Sequence, residues 1–387
     1  MVKINMQSKK KILYLTRLSP YEIKSWSGVT LNILKCLKEN FEVITVGPLS
    51  NRVRIFYVIK RFLYSTLNIK FDIDRPIFVA KDFANQIHKK IKNTHYDAVL
   101  TSDSYLLTFF KTSKPCFIFT DVLFSTYYSH YFNQQLIHKS TLNDGNYCQK
   151  KALLKSKIIF LTSKWAIKDA IKSYKIKRNN FHFLPFGPSS SMIPSKKILF
   201  QIIKKKTLRE CRLVTIGVHW NRKGMDKALN LVNHLNYIGQ KTTLYIIGAN
   251  PPKNVSIPKY VKLIRFLDKK NKKDRKLLEK ILFKAHFNVL FSQSEAFGVV
   301  NVEASAFGLY SITNKIGGID GVIKNNKNGY MFNTNEDVRL ISKHILRIFK
   351  NKNIYIKKSL TARNEYEKNL NWYNISNKLF QKINKYL

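Results

Sequence analysis

Short apolar runs alternate with helical stretches twice along this chain, and that alternation leaves little choice of fold. Runs at 12–15, 41–46, 98–101, 116–120 and 158–162 have the length and composition of buried strands. Amphipathic segments lie between several of them, at 30–37, 83–91 and 165–173. Pro185-Phe186-Gly187-Pro188-Ser189-Ser190-Ser191 interrupts the pattern, and a basic stretch through Lys204-Lys205-Lys206 follows. The alternation then restarts, with strands expected at 213–216, 243–247, 261–266 and 288–291 and a helix at 226–235. Strands separated by helices build parallel sheets covered on both faces. The expected fold class is therefore α/β: two Rossmann-like parallel-sheet lobes facing a cleft, with a C-terminal helix. The expected boundaries are 1–188 for the N-terminal lobe, 189–208 for a linker region, 209–365 for the C-terminal lobe and 366–387 for the closing helix. Ligands of such sheets bind at the carboxyl ends of the strands, so the loops there are the place to look for chemistry.

A chain of 387 residues can bury two cores. Its charge is the unusual feature: 69 Lys and Arg against 23 Asp and Glu leave a formal +46. Such a surface attracts polyanions, whether nucleic acid, anionic lipid or phosphorylated substrates. A bias toward Lys, Asn and Ile along the whole chain explains the charge equally well, so charge alone assigns no function. A basic nucleic-acid-binding protein is one reading, but no helix-turn-helix, zinc-finger or RNA-binding aromatic motif accompanies it, and nucleic acid is not an expected partner. Cys36, Cys116, Cys148 and Cys211 form no C-x-x-C pair, which argues against a zinc or redox site and fits a reduced, cytoplasmic location.

The apolar run after Lys9-Lys10-Lys11 is too short for a signal peptide, and no stretch reaches the ~20 apolar residues of a spanning helix. Any meeting with a membrane is expected at its inner surface. Residues 52–64 offer a means: Ile55, Phe56, Ile59, Phe62 and Leu63 share one helical face, flanked by Arg54, Lys60 and Arg61. Such a helix lies in an anionic lipid interface or packs on its own lobe, and the sequence leaves both open.

Two segments carry candidate chemistry. The first runs from Ser294 to Gly308, after the strand expected at 288–291. Glu295 falls in the loop at that strand's carboxyl end. Small and apolar residues after Gly298 suit a tightly packed helix, whose first N–H groups, near Gly298 and Val299, can hold phosphate. Glu303, about a turn further in, can accept hydroxyl hydrogen bonds from a ribose; the alternative is two ordinary solvated helix charges. The second segment is Gly217-Val218-His219-Trp220-Asn221-Arg222-Lys223-Gly224, after the strand expected at 213–216. Gly217 permits a tight turn there. Arg222 and Lys223 then put two positive charges at the strand's carboxyl end, where they would stabilise negative charge developing on a leaving phosphate group. Both are equally read as surface lysine and arginine among many, and His219 reads as a neighbour of the site.

The first segment resembles the E-x7-E region of glycosyltransferase family 4, the retaining GT-B glycosyltransferases (glycosyl transferases group 1), at Glu295, Phe297, Gly298, Glu303, Ala304 and Gly308. The second resembles the same family's G-x-x-W-x-R-K-G loop. The resemblance implies that Glu295 contacts the donor sugar, Glu303 binds the nucleotide ribose, and Arg222 and Lys223 hold the diphosphate. It makes Gly217, Phe297, Gly298 and Val299 further donor-binding positions. Trp26-Ser27-Gly28 is similar to the family's glycine loop near the diphosphate, with Gly28 matching and Ser27 where many members have a second glycine. Thr120-Asp121-Val122-Leu123-Phe124 with Tyr127-Tyr128 resembles a D-x-x-F…Y-Y subgroup pattern. There Asp121 orients a sugar or acceptor hydroxyl or stabilises positive charge, a helix cap being the alternative. Ser163-Lys164-Trp165-Ala166, Pro185-Phe186-Gly187 and Gly317-Gly318-Ile319…Gly329-Tyr330 extend the likeness from about residue 13 to 372.

What the resemblance implies is a glycosyltransferase moving a hexose from a nucleotide-sugar donor to a cell-surface glycan or lipid-linked precursor, with anomeric retention. The donor is a substrate, and no cofactor is expected. No D-x-D tripeptide of the kind that metal-dependent glycosyltransferases use is read in the chain, so no metal is expected either. A nucleotide-sugar 2-epimerase shares the fold and is the alternative enzyme.

Overall fold

The computed structural model describes residues 9–23, 25–189 and 193–387. The first eight positions and Lys24 of the expected N-terminal lobe, and Ser190, Ser191 and Met192 of the expected linker, lie outside the described residues. The chain divides into two compact units. One runs to Pro185 and takes in Trp372–Leu387; the other is Phe186–Asn371.

The first unit holds strands β1 (Lys11–Leu15), β2 (Glu42–Val46), β3 (Ala98–Thr101), β4 (Cys116–Thr120), β5 (Ser156–Leu161) and β6 (Phe181–Phe183). They form one parallel sheet in the order β2-β1-β3-β4-β5-β6. The second holds β7 (Cys211–Ile216), β8 (Thr242–Ile247), β9 (Val261–Ile264), β10 (Phe287–Leu290), β11 (Tyr310–Asn314) and β12 (Gly329–Phe332). Its parallel sheet has the order β12-β11-β10-β7-β8-β9. In each sheet the strand order reverses direction at one place, between β1 and β3 and between β7 and β10. Loops leaving such a switch point diverge and open a crevice at the strands' carboxyl ends.

The strands beside these switch points are apolar runs because helices cover them on both faces. Every residue of β3, β4 and β10 is buried. Val79, Phe83 and Ile87, on the helix Ile77–Lys90, pack with Leu13, Val99 and Ile118 in the first core. In the second, Leu231 and Leu235 from the helix Met225–Tyr237 meet Leu213, Ile246 and Val289.

The structure adds elements to those expected. β6, β11 and β12 are strands that periodicity does not reveal. Within the stretch read as a linker lies a helix, Lys196–Lys205, in the second unit. Leu199 and Ile203 bury its inner face one turn apart, and the lysines bracketing them hide that pair in the sequence. The closing segment is not one helix: a π-turn at Tyr366–Leu370 precedes the helix Trp372–Ile383. That helix belongs to the first unit, where Ser376 Oγ donates to Cys36 O at 2.8 Å and Asn40 Nδ2 donates to Ser376 Oγ at 3.2 Å. Among the described residues no helix is long and apolar enough to cross a membrane.

Candidate active site

Two loops leave the switch point of the second sheet, residues 217–224 after β7 and 291–298 after β10. They are tied together by main-chain bonds. Gln293 N donates to Arg222 O at 2.8 Å, and the Arg222 guanidinium donates to Ser294 O at 3.2 Å. Gly318 N donates to Glu295 O at 3.0 Å, so the Gly317-Gly318 segment closes the third side. Glycine is needed where these loops cross. A Cβ on Gly224, whose φ is +66°, would stand 2.0 Å from Phe291 O. A Cβ on Gly217 would stand 2.6 Å from Lys223 Cγ, so the lysine stem lies across bare backbone. Trp220 anchors the same loop in the core, its indole N–H donating to Asp226 Oδ1 at 2.8 Å.

This packing brings the Lys223 ammonium onto Glu295 Oε2, which also accepts from Ser292 Oγ at 3.1 Å. Lys223 and Glu295 are each only 8% exposed. An ion pair withdrawn from water this far interacts far more strongly than a surface pair. Glu303 is 3% exposed, and its Oε1 accepts from Lys269 Nζ at 2.5 Å and from Ser189 Oγ at 2.5 Å. Neither glutamate is a solvated helix charge. The helix Val299–Ala306 starts at Gly298 (φ +84°) with no side-chain cap, leaving its first turn to the loop crevice. Phe297 is buried edge-on to Phe186, ring centres 5.5 Å apart, so its side chain serves packing and its backbone faces the loop. Val299 is half-buried, and His219 is exposed.

Thus Gly217, Arg222, Lys223 and Glu295 come together where the two loops meet, Phe297 and Gly298 follow in the second loop, and Glu303 lies on the adjoining helix. Ser292 joins Glu295, Lys269 and Ser189 join Glu303, and sequence reasoning missed all three. Ser189 lies two residues beyond the Pro185-Phe186-Gly187 motif. Lys269 carries no local signal.

Gly28 and Asp121 belong to the first unit. Gly28 precedes the helix Val29–Asn40 with φ +80° and follows Trp26 and Ser27, at φ +47° and +54°. Ser27 thus takes a left-handed conformation that glycine would adopt freely; for other residues it costs about 1–2 kcal/mol. Asp121 follows β4, and its Oδ1 accepts from Val122 N at 2.8 Å. The next helix, Phe124–Tyr131, is capped at Leu123 without a side-chain bond, so Asp121 is not a helix cap.

The chain does contain a D-x-D, Asp72-Ile73-Asp74, away from the phosphate-site motifs. Arginines engage both carboxylates: Arg17 Nη1 lies 2.7 Å from Asp74 Oδ2, and Arg75 Nε lies 3.7 Å from Asp72 Oδ2. Tyr128 OH also donates to Asp72. Burial works against the Asp72 charge, but Arg75, the Tyr128 hydroxyl, the Asp74 N–H and Arg17 outweigh it and hold this carboxyl below its ordinary range. Among the described residues, no group of three or more His, Cys, Asp or Glu is placed to hold a metal ion.

Residues 200–369 match the family described as "Glycosyl transferases group 1". No curated protein matches the sequence. Among solved structures, the chain is similar to sucrose-phosphate synthase from Thermosynechococcus elongatus, with 14% identity and a TM-score of 0.68 over 97% of this chain and 99% of that one. A glycosyltransferase from Rickettsia africae is 16% identical with a TM-score of 0.65, over 97% and 98% of the two chains. The Anabaena protein HepE, solved with UDP and glucose, is 14% identical with a TM-score of 0.64, over 97% and 100%. Residues 200–369 therefore match the family of glycosyl transferases group 1, on a chain whose two parallel-sheet units have the fold of the GT-B glycosyltransferases.

Proposed function

We propose that this protein is a retaining, metal-independent glycosyltransferase that moves a hexose from a nucleotide sugar to a cell-surface glycan or lipid-linked precursor in the cytoplasm. The buried Lys223–Glu295 pair, set beside an uncapped helix start at a sheet switch point, carries the proposal. It joins a cation for phosphate and a carboxylate for sugar hydroxyls in one water-poor place. That the Anabaena relative was solved with UDP and with UDP-glucose supports a nucleotide sugar as donor.

In this proposal Arg222, Lys223 and the N–H groups near Gly298 and Val299 take the charge growing on the leaving diphosphate. Glu295 holds the sugar. Glu303 receives the ribose hydroxyls beside Lys269, and Gly28 borders the diphosphate. The bond from C1 to the diphosphate oxygen breaks as the acceptor oxygen bonds C1 on the same face. The acceptor proton goes to the departing phosphate oxygen, so no side-chain base is required. Asp121 orients a hydroxyl of the sugar or acceptor.

The test uses water as a slow acceptor. The protein is incubated in EDTA with UDP-glucose, and with GDP-mannose and ADP-glucose in parallel, and released sugar is followed by proton NMR. The expected result is release from one donor, with the α-anomer appearing first. A β-anomer appearing first would remove retention. Release that needs added manganese or magnesium would remove metal independence. Conversion to an epimerised nucleotide sugar would make the protein an epimerase.

A further inference from the structure

The helix Arg54–Thr66 stands out because, among the described residues, none of its own is buried. Its inner side is held by Tyr57 and Tyr64, whose rings lie 6.1 and 5.9 Å from that of Phe71. The opposite side carries Ile55, Phe56, Ile59, Phe62 and Leu63, which are 58–76% exposed. Packing on its own lobe, the alternative left open by the sequence, therefore accounts for the two tyrosines and not for these five residues.

We infer that this face is a docking surface for an anionic lipid membrane. Charge decides the occupant. Arg52, Arg54, Lys60 and Arg61 surround the apolar face, and no acidic residue lies between Glu42 and Asp72. None of the four makes an ion pair among the described residues. Lys60 instead rests over the Phe71 ring, 5.1 Å from its centre. A second copy docking symmetrically through this helix would bring these cations against themselves, and the helix itself carries no carboxylate to meet them. A leaflet of anionic headgroups over an apolar interior satisfies both the charges and the aromatic face, as amphipathic helices do when they lie in the interface. The inference is independent of which sugar is transferred.

Cosedimentation with phosphatidylglycerol–phosphatidylcholine vesicles tests it, with pure phosphatidylcholine as the comparison. The protein is expected to pellet with the anionic vesicles at low salt and to be released as salt rises. The Arg54→Gln/Lys60→Gln/Arg61→Gln variant should bind on the order of a hundredfold more weakly, about fivefold per cation. Phe56→Ser/Phe62→Ser should also lose binding, while Tyr237→Ser, an exposed aromatic on the second unit, should not. Circular dichroism shows whether each variant is folded. Failure of the wild type to bind anionic vesicles would overturn the inference. So would equal binding by the helix variants, which would return the attraction to the overall +46 charge. A wild-type dimer that Phe56→Ser/Phe62→Ser converts to monomer would assign the face to a second copy instead.

Discussion

Removing the Lys223 ammonium would strand the Glu295 carboxylate in a buried place without its counter-ion. Breaking a buried pair from one side typically costs about 3–5 kcal/mol of stability. Losing a charge-stabilising contact on the reacting group costs a further factor of roughly a hundred in rate. Lys223→Met should therefore lower both thermal stability and sugar release. Adding Glu295→Gln should restore much of the stability, because the unpaired charge is gone, while sugar release stays low. Calorimetry and the release assay on the two variants separate these effects. Recovery of activity together with stability would make the pair a structural device. The same residues show what could be read in advance. With only 23 carboxylates, two glutamates in a small-residue helix context are informative. Lys269 is one of 69 basic residues, and it reaches Glu303 from 34 positions away, so only folding reveals it.

Elements were legible where they are apolar runs and hidden where polar side chains complete the sheet. β11 reads Tyr-Ser-Ile-Thr-Asn, yet it is fully buried because Thr313 Oγ1 donates to Leu290 O at 2.7 Å and Ser311 Oγ accepts from Asn288 Nδ2 at 3.1 Å. Periodicity sees no strand there. β6 and β12 are too short, at three and four residues, to show alternation. Just before β10, His286 is fully buried, its Nδ1 accepting from Arg212 N at 3.0 Å. Burial, reinforced by Lys206, pushes its pKa down to about 3. The unfolded chain takes up this proton near pH 6.5 and the folded one does not until about pH 3. Stability present above pH 6.5 is therefore lost as pH falls, at about 1.4 kcal/mol per pH unit for one proton. His286→Gln should flatten the stability profile between about pH 6 and 4.5 by that one-proton slope, measured by urea unfolding at each pH. An unchanged slope would show that His286 does not stay neutral in the folded unit.

At the scale of the whole molecule, the two sheets repeat one idea. Each sets its candidate residues at the carboxyl ends of strands beside a switch point: Gly28 after β1 in the first, and the Lys223 and Glu295 loops after β7 and β10 in the second. The alternation of runs made that architecture readable. It did not reveal that Trp372–Leu387 returns to the first unit, because a helical pattern says nothing of which core receives it. The large positive charge acts across both units and should make any nucleotide binding weaken with salt. The proposed function requires that the loops around Lys223 hold a nucleoside diphosphate. Isothermal titration with UDP, GDP and ADP at fixed ionic strength tests it most directly. The account predicts that one of them binds the wild type and that Lys223→Met/Glu295→Gln, folded and with its buried charge removed, binds it about a hundredfold more weakly. Equal binding by the wild type and this variant, or no binding of any of the three by the wild type, would contradict it.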